Sequence, residues 1–541
     1  MPAPKKSSEP ALPSAEDVRT GRGRLTFQEA MSLSSLPSST PYHTTTTAIN
    51  THDDKIPKTN FAASSSSSGS RRYMSRRRVW VTGEDLGPLA VEMGVPASSA
   101  LKTGTSAFGG HVYAQSALAA SRAFREAQKE SGDGNVKGKK KKDFGIHTIH
   151  GFFSEPGLAD RPFIYEVTPL ASNPLFPNLL VTARQPAVPS TLFTSTSSPP
   201  LSTQTPSLYP LADAALPLGP VCFSAIVSFR PAGTQQHTVQ ESPPQERFKS
   251  LLRSRSPGSW APAPVVDIEG ILSALSPASR RAVGTFPGLE MRKVDMSAYN
   301  EGKPVHERKE LILYRLLAPL APTHTHTHTS TSSSIPSASS PSSQNNNENE
   351  NKHEEEEKET EEEQFFNHPD AHISAHAYAA DRNGLLMLGN HAGYGSTLAR
   401  AASLSYTFVV HVDAAEAVMS MSSPPFSSSS SSSSHTPIPT SSSSSSSSSP
   451  PSTPSTLSLS PNKNQTTESE KGNENENENE GWWIQETSFP RLQNGRGIVY
   501  SKIWSPSGVH VATEYQDGIV RRRPPPRTGE RSKGKGVSFK L

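Results

Sequence analysis

Two uninterrupted serine tracts, at 427–434 and 441–449, set the strongest limit on what this chain can fold into. Ordering the backbone of one residue costs about 1–2 kcal/mol, and serine returns almost no apolar burial against that cost, so such runs cannot sit in a packed core. Composition puts five segments in this class: 1–76 (Ser/Thr/Pro), 128–142 (Gly/Lys), 189–217 (Pro/Ser/Thr), 321–364 and 420–480. They leave about 316 of the 541 residues for folding, which fits two domains of ordinary size. The expected organisation is a disordered N-terminal region over 1–76, a first domain over 77–235, a linker over 236–284, a second domain over 285–523 and a basic tail over 524–541. The inserts 128–142 and 189–217 fall inside the first domain, and 321–364 and 420–480 inside the second.

Charge excludes more than it suggests. With 53 Lys+Arg against 50 Asp+Glu the formal net charge is +3, so bulk electrostatics make the chain neither a nucleic-acid binder nor a membrane-surface protein. The basic clusters Arg71, Arg72, Arg76 to Arg78, Lys137 with Lys139 to Lys142, and Arg521 to Arg523 read as solvated tails and loops. One cysteine, Cys222, excludes an intrachain disulfide and a Cys-rich zinc site, and points to a reducing compartment. No apolar run is long enough to span a membrane, and the first residues lack the apolar stretch of a secretory signal, so a soluble intracellular protein is expected. The Thr-His alternation with His324, His326 and His328 reads as low complexity, because a flexible tract lacks the outer partners that fix metal ligands; no metal and no cofactor are expected.

Between the gaps, 163–167 (FIYEV), 179–184 (LLVTAR) and 221–229 (VCFSAIVSF) are β-branched or aromatic runs bounded by Pro or Gly, and read as strands. They follow an Ala-rich helix over 112–123, opened by Gly109 and Gly110, whose backbone N–H groups can approach another group closely. The second half repeats the order: a helix over 371–388, then strands over 404–412, 482–489, 497–504 and 509–514, the last two joined by a turn at Ser505-Pro506-Ser507-Gly508. A helix followed by consecutive antiparallel strands, twice over, predicts an α+β fold with each sheet wrapped on one helix.

No nucleophile elbow is present, since Gly104-Thr105-Ser106-Ala107-Phe108 and Gly393-Tyr394-Gly395-Ser396 miss the spacing. Gly134 to Lys139 is one residue short of a phosphate loop, and Lys140 stands where a hydroxyl is needed. What remains is polar residues inside the pattern: Asp381, which ends an Ala-rich helical turn and would be partly desolvated there as a general base often is, Ser403 at a strand start, and Gln516 after the last strand.

Taken together, the motifs form a recognisable pattern. Phe108-Gly109-Gly110-His111 running into Gln115 and Ala119-Ala120, then His147-x-x-His150-Gly151-Phe152-Phe153-x-x-Pro156-Gly157 and Arg161-Pro162-x-x-Tyr165-x-Val167, resemble the first half of the acyl-CoA thioesterase II family. Ala377-Tyr378-Ala379-x-Asp381, Ala402-Ser403-Leu404 ending at His411, and Val511-Ala512-Thr513-x-x-Gln516-x-Gly518-x-x-Arg521 resemble its second half. The resemblance implies a double hotdog fold, hydrolysis of fatty acyl-CoA to fatty acid and CoA, and a catalytic trio at Asp381, Ser403 and Gln516. It departs after Ser403, where the family commonly has Asp-His-Ser or Asp-His-Thr and this chain has Ser405-Tyr406-Thr407.

Two alternatives belong to other classes. An enoyl-CoA hydratase would need Asp-x-Asn-Pro-x-His, and Asp381-Arg382-Asn383 begins that way, but Gly384 and Leu386 replace the Pro and the His. A catalytically inactive acyl-CoA-binding or scaffold hotdog protein would suit the altered segment and the low-complexity load, though not the intact trio. Acyl-CoA is the expected partner, with homo-oligomerisation left open. The final Phe539-Lys540-Leu541 differs from Ser-Lys-Leu only at its first position, which makes a peroxisomal import receptor a second expected partner and divides the expected location between peroxisome and cytoplasm.

Overall fold

The computed structural model describes residues 24–37, 69–81, 106–130, 143–171, 175–194, 208–233, 237–263, 286–320, 365–382, 384–394, 398–420 and 481–522. Helix α1 (Gly109–Glu130) extends the helix expected over 112–123 at both ends. Its buried alanines, from Ala114 to Ala123, keep its surface flat, and α2 (Pro369–Ala380) packs against it. Pro369 opens α2 at a position with no N–H to satisfy, and the His368 ring accepts a bond from the Asp370 N–H. Every α2 residue from Asp370 to Ala380 is buried, as expected of a helix without a polar face.

The single helix expected over 371–388 is two helices, α2 and α3 (Gly384–His391). Asp381 caps α2 at φ −68° and ψ −14°, and the Arg382 N–H closes the last turn on the Ala379 carbonyl. Asp is a poor helix former because its side chain competes for nearby polar groups; here that side chain is held by groups from three other elements, described below. Asp370 clamps the two long helices together. Its carboxylate accepts from Ser121 Oγ at 2.5 Å and from the Ile146 N–H at 2.8 Å, and lies 3.3 Å from the Arg125 guanidinium.

Among the described residues, thirteen antiparallel strands form one sheet around the helices. The first half supplies β1 (Leu33–Leu36), β2 (Arg71–Ser75), β3 (Phe144–Phe153), β4 (Ile164–Ala171), β5 (Asn178–Pro186) and β6 (Leu218–Pro231). The second supplies β7 (Ala261–Pro262), β8 (Leu289–Lys293), β9 (Lys309–Leu316), β10 (Leu398–Val410), β11 (Trp483–Gln493), β12 (Arg496–Trp504) and β13 (His510–Arg522). Their order is β1-β2-β4-β5-β6-β3-β10-β13-β12-β11-β9-β8-β7. Each half repeats one plan: a hairpin (β1-β2 or β8-β9), a helix, the strand that follows the helix placed innermost, and three more strands that start beside the hairpin and return inward to that strand. This is the double hotdog arrangement of an α+β chain. The two halves do not keep separate sheets, because β3 and β10 pair directly, Tyr406 opposite Gly151 and Thr407 opposite His150.

Three expectations from composition change. Residues 24–37 and 69–76, assigned to an unfoldable N-terminus, supply a capped helical turn and the β1-β2 hairpin. Within that hairpin, Arg71 is no solvated tail, since it forms ion pairs with Glu126 and Glu130 of α1. Residues 237–263, assigned to the linker, cover the outer face of the second half: Phe248 and Trp260 join Leu311, Leu313, Trp482 and Trp504 in a separate apolar cluster, and Arg247 pairs with the buried Glu486. The His324 to His328 tract, the serine tracts and the Phe539-Lys540-Leu541 terminus lie outside the described residues.

Candidate active site

Asp381, Ser403 and Gln516, named from three separate motifs, meet in one place. Gln516 Nε2 donates to Asp381 Oδ1 at 2.6 Å and to Ser403 Oγ at 2.8 Å, and the Ser403 hydroxyl donates to the same Asp381 oxygen at 3.3 Å. Each arrives by a different device. Asp381 sits on the break between α2 and α3. Ser403 stands at a β-bulge, where the register of β10 against β13 slips between Ser403 and Ser405; a bulge re-aims a side chain out of the regular alternation. Gln516 lies within β13 rather than after the last strand, on the inward phase shared with Ala512, Glu514 and Val520.

Two glycines make room. At Gly384 a Cβ would stand 2.9 Å from Gln516 Oε1, so a side chain there would displace the glutamine. At Gly110 a Cβ would stand 2.7 Å from the Phe108 ring and 2.9 Å from Asp381 Cβ. The start of α1, from the first half, thus abuts the carboxylate of the second. The group that the N–H groups of this helix start approach is Asp381 itself, with the Gly110 N–H as its hydrogen-bond partner.

Asp381 does not face water as an ordinary helix-end aspartate does; it is only 7% exposed. Burial raises its pKa to about 7, against the opposing pull of the Gly110 N–H, the Ser403 hydroxyl, the Arg382 charge and the Tyr406 hydroxyl. A carboxyl balanced in this way exchanges a proton near neutrality, where a general base works best.

An aromatic wall lies beside it. Phe286 and Tyr378 stack at 4.6 Å, Phe108 meets both edge-on at 5.5 Å, and Trp80 packs edge-on against Phe108 and Phe286. The Arg382 guanidinium lies 4.4 Å from the Trp80 ring and 4.7 Å from the Phe286 ring. Trp80 and Phe286 carried no motif, and only the fold brings them to the site.

Of the three residues where the chain departs from the family pattern, only Tyr406 turns inward; it is 1% exposed. Thr407 is on the opposite face, bonded through Oγ1 to His150 Nδ1 at 3.1 Å. His411 also lies away from the trio, with Nε2 on Thr513 Oγ1 at 2.8 Å. Among the described residues no group of three or more His, Cys, Asp and Glu is placed to hold a metal, and no helix is long and apolar enough to cross a membrane.

No family model matches the chain, and no curated protein matches it. Among solved structures, the chain is similar to an acyl-CoA thioesterase II, TesB2, of Mycobacterium marinum, at 16% identity and a TM-score of 0.37, over 78% of this chain and 91% of that one. It is similar to a hot dog fold protein of unknown function from Alicyclobacillus acidocaldarius at 10% identity and a TM-score of 0.37, over 92% and 98% of the two chains. A third similarity is to a putative thioesterase II of Thermobifida fusca, at 10% identity and a TM-score of 0.35, over 83% and 92%. Identities and TM-scores this low leave the family of the chain unassigned.

Proposed function

We propose that the protein is a thioester hydrolase that converts acyl-CoA to free acid and CoA, with Asp381 as general base. The observation that carries this reading is the closed triangle of Asp381, Ser403 and Gln516 around a buried carboxyl poised near pH 7. In the first step a water oxygen bonds to the thioester carbonyl carbon while Asp381 accepts the water proton. In the second the C–S bond breaks, and Asp381 returns the proton to the departing sulfur. A thiol of parent pKa near ~8.5 is a good leaving group, so the chemistry needs an oriented water more than a covalent intermediate.

The residues divide that work. Both nitrogen contacts of the Gln516 amide go to Asp381 and Ser403, and its Oε1 has no aligned donor among the described residues. That oxygen is the acceptor left to orient the water. Ser403 ties the amide to the carboxylate through its hydroxyl. The aromatic wall of Phe108, Phe286 and Tyr378 makes the surroundings of the base apolar, as an acyl chain requires. The test is free-thiol release from a panel of acyl-CoAs of short to long chain. Turnover with at least one member supports the reading, and its absence with all of them, in protein that unfolds cooperatively, sinks it.

A further inference from the structure

Behind the trio lies a second carboxyl that the mechanism does not use. Glu514 precedes Gln516 by two residues on the inward phase of β13, opposite Phe408 of β10 and Ser501 of β12. Its side chain is fully buried, and neither oxygen has an aligned hydrogen-bond partner or a paired cation among the described residues. The groups that face it are Tyr406 from β10, Ser501 from β12, Tyr113 from α1 and Asp381 at the end of α2. Tyr406 stands opposite Gln516 in register, its ring 4.7 Å from Tyr113, and its buried hydroxyl likewise has no aligned partner. Yet this hydroxyl is near enough to both carboxyls to lower the pKa of each.

We infer that Glu514 and Tyr406 are positioning residues for Asp381: Glu514 keeps its proton and donates it in a hydrogen bond to the Tyr406 oxygen, and the Tyr406 hydroxyl then donates toward the Asp381 carboxylate. The inference rests on the proposed role of Asp381. Two physical points support it. The Arg382 charge acts on Asp381 and, among the described residues, no cation acts on Glu514, so the two buried carboxyls cannot both ionise at acceptable cost and one stays neutral. Glu514 is the better placed to do so, because Asp381 has the Gly110 N–H, Ser403 and Gln516 as donors and Glu514 has only the two hydroxyls; burial, with the Asp381 charge adding to it, pushes Glu514 up to about 8. A neutral acid has a donor, and of the two hydroxyls that face Glu514 the tyrosine's is the one that also acts on Asp381.

The experiment uses the full chain and the variants Glu514→Gln, Glu514→Leu and Tyr406→Phe. Glu514→Gln keeps a neutral donor, so its kcat at pH 7 should stay within about threefold of the parent, whereas Glu514→Leu should lose about tenfold or more. Tyr406→Phe removes a donor to Asp381 and should move the acid limb of the kcat profile to higher pH with KM little changed. Infrared spectra should show a protonated-carboxyl band at pH 6 in the Asp381→Asn variant. That band should disappear when Glu514→Gln is added and shift in frequency when Tyr406→Phe is added. The idea is overturned if Glu514→Gln is as impaired as Glu514→Leu, if Tyr406→Phe leaves the acid limb in place, or if the band is missing or unmoved. Because the infrared arm needs no turnover, it decides the Glu514 and Tyr406 pairing even if no acyl-CoA is hydrolysed, an outcome that would fail Asp381 as the base instead.

Discussion

Replacing Asp381 by Asn should make the protein slower and more stable at once, and the stability gain should depend on pH. In the folded chain the carboxyl titrates at about 7, against an ordinary value of 3.8, because burial penalises its charged form. Between those two values the folded chain holds a proton that the unfolded chain has released, so stability falls as the pH rises through the window and levels off above it. At about 1.4 kcal/mol per pH step this amounts to about 4 kcal/mol above pH 7, as an upper figure. The amide gives part of that back. It offers one acceptor where the carboxylate offers two, so its NH₂ must face a donor on the side of either Gln516 or Gly110, at a cost of about 1–3 kcal/mol. The net expectation is a variant about 2 kcal/mol more stable than the parent at pH 8, with no advantage at pH 4. Turnover should fall about 10²-fold or more, since the base is removed with its shape preserved. Urea unfolding at pH 4, 6 and 8, with thiol release measured on the same preparations, checks both halves. Near-parental thiol release by folded D381N protein refutes the assignment of the base, and a stability gap that is the same at every pH refutes the account of its burial.

Other outcomes follow from the same geometry. Ser403→Ala and Gln516→Ala should each lower kcat, and in combination with Asp381→Asn their effects should be far less than additive, because groups that hold one water act as a unit; full additivity would mean they act separately. Gly384→Ala places a Cβ 2.9 Å from Gln516 Oε1 and 3.1 Å from Val499 Cγ1, and should cost about tenfold in kcat through displacement of the glutamine. An unchanged rate would show that the glutamine is not needed where it stands. Asp370→Ala should destabilise by about 1–3 kcal/mol, since it leaves the buried Ile146 N–H without its acceptor and removes one of the two carboxylates paired with Arg125, which keeps Asp143; a loss under about 1 kcal/mol would show that the helix clamp is dispensable. Burial pushes the Asp370 pKa up, but His368, Arg125 and Ser121 outweigh it and hold it below the ordinary value. Its stabilising contribution should therefore be present at neutral pH and fade as the pH falls toward the folded-state value, which acid titration of the parent against the variant would display.

The elements legible in the sequence were those with clean edges. The strands expected over 163–167, 179–184, 221–229 and 497–504 are present because Pro and Gly mark their ends and their side chains suit a pleated surface. The β1-β2 hairpin was hidden: Arg71 and Arg72 look like a charge cluster beside a serine run, and only the acidic residues of α1, more than fifty positions later, give Arg71 its place. The local pattern places the end of β13 at Glu514, and that shortening conceals the alternation through Ala512, Glu514 and Gln516 that points all three inward. A charged residue on the inward phase of a strand is a conflict between local pattern and fold, and such conflicts gather at functional sites. The residues of the trio were found by motif, but their contacts were not, because a bulge, a helix break and a strand position are tertiary facts. Trp80 and Phe286 left no local trace at all.

The pairing of β3 with β10 has a consequence for truncated forms of the chain. A sheet edge presents unpaired N–H and C=O groups and invites pairing with other molecules, so long apolar edges lead to aggregation. Joined at this seam, the sheet ends on β1, four residues long, and β7, two residues long, both poor templates for a foreign strand. Separated, the first half would expose the ten residues of β3 and the second the thirteen of β10. Each half protects the other from self-association, and either one expressed alone should be recovered chiefly as aggregate, whereas the two halves produced together have a reason to find each other in solution.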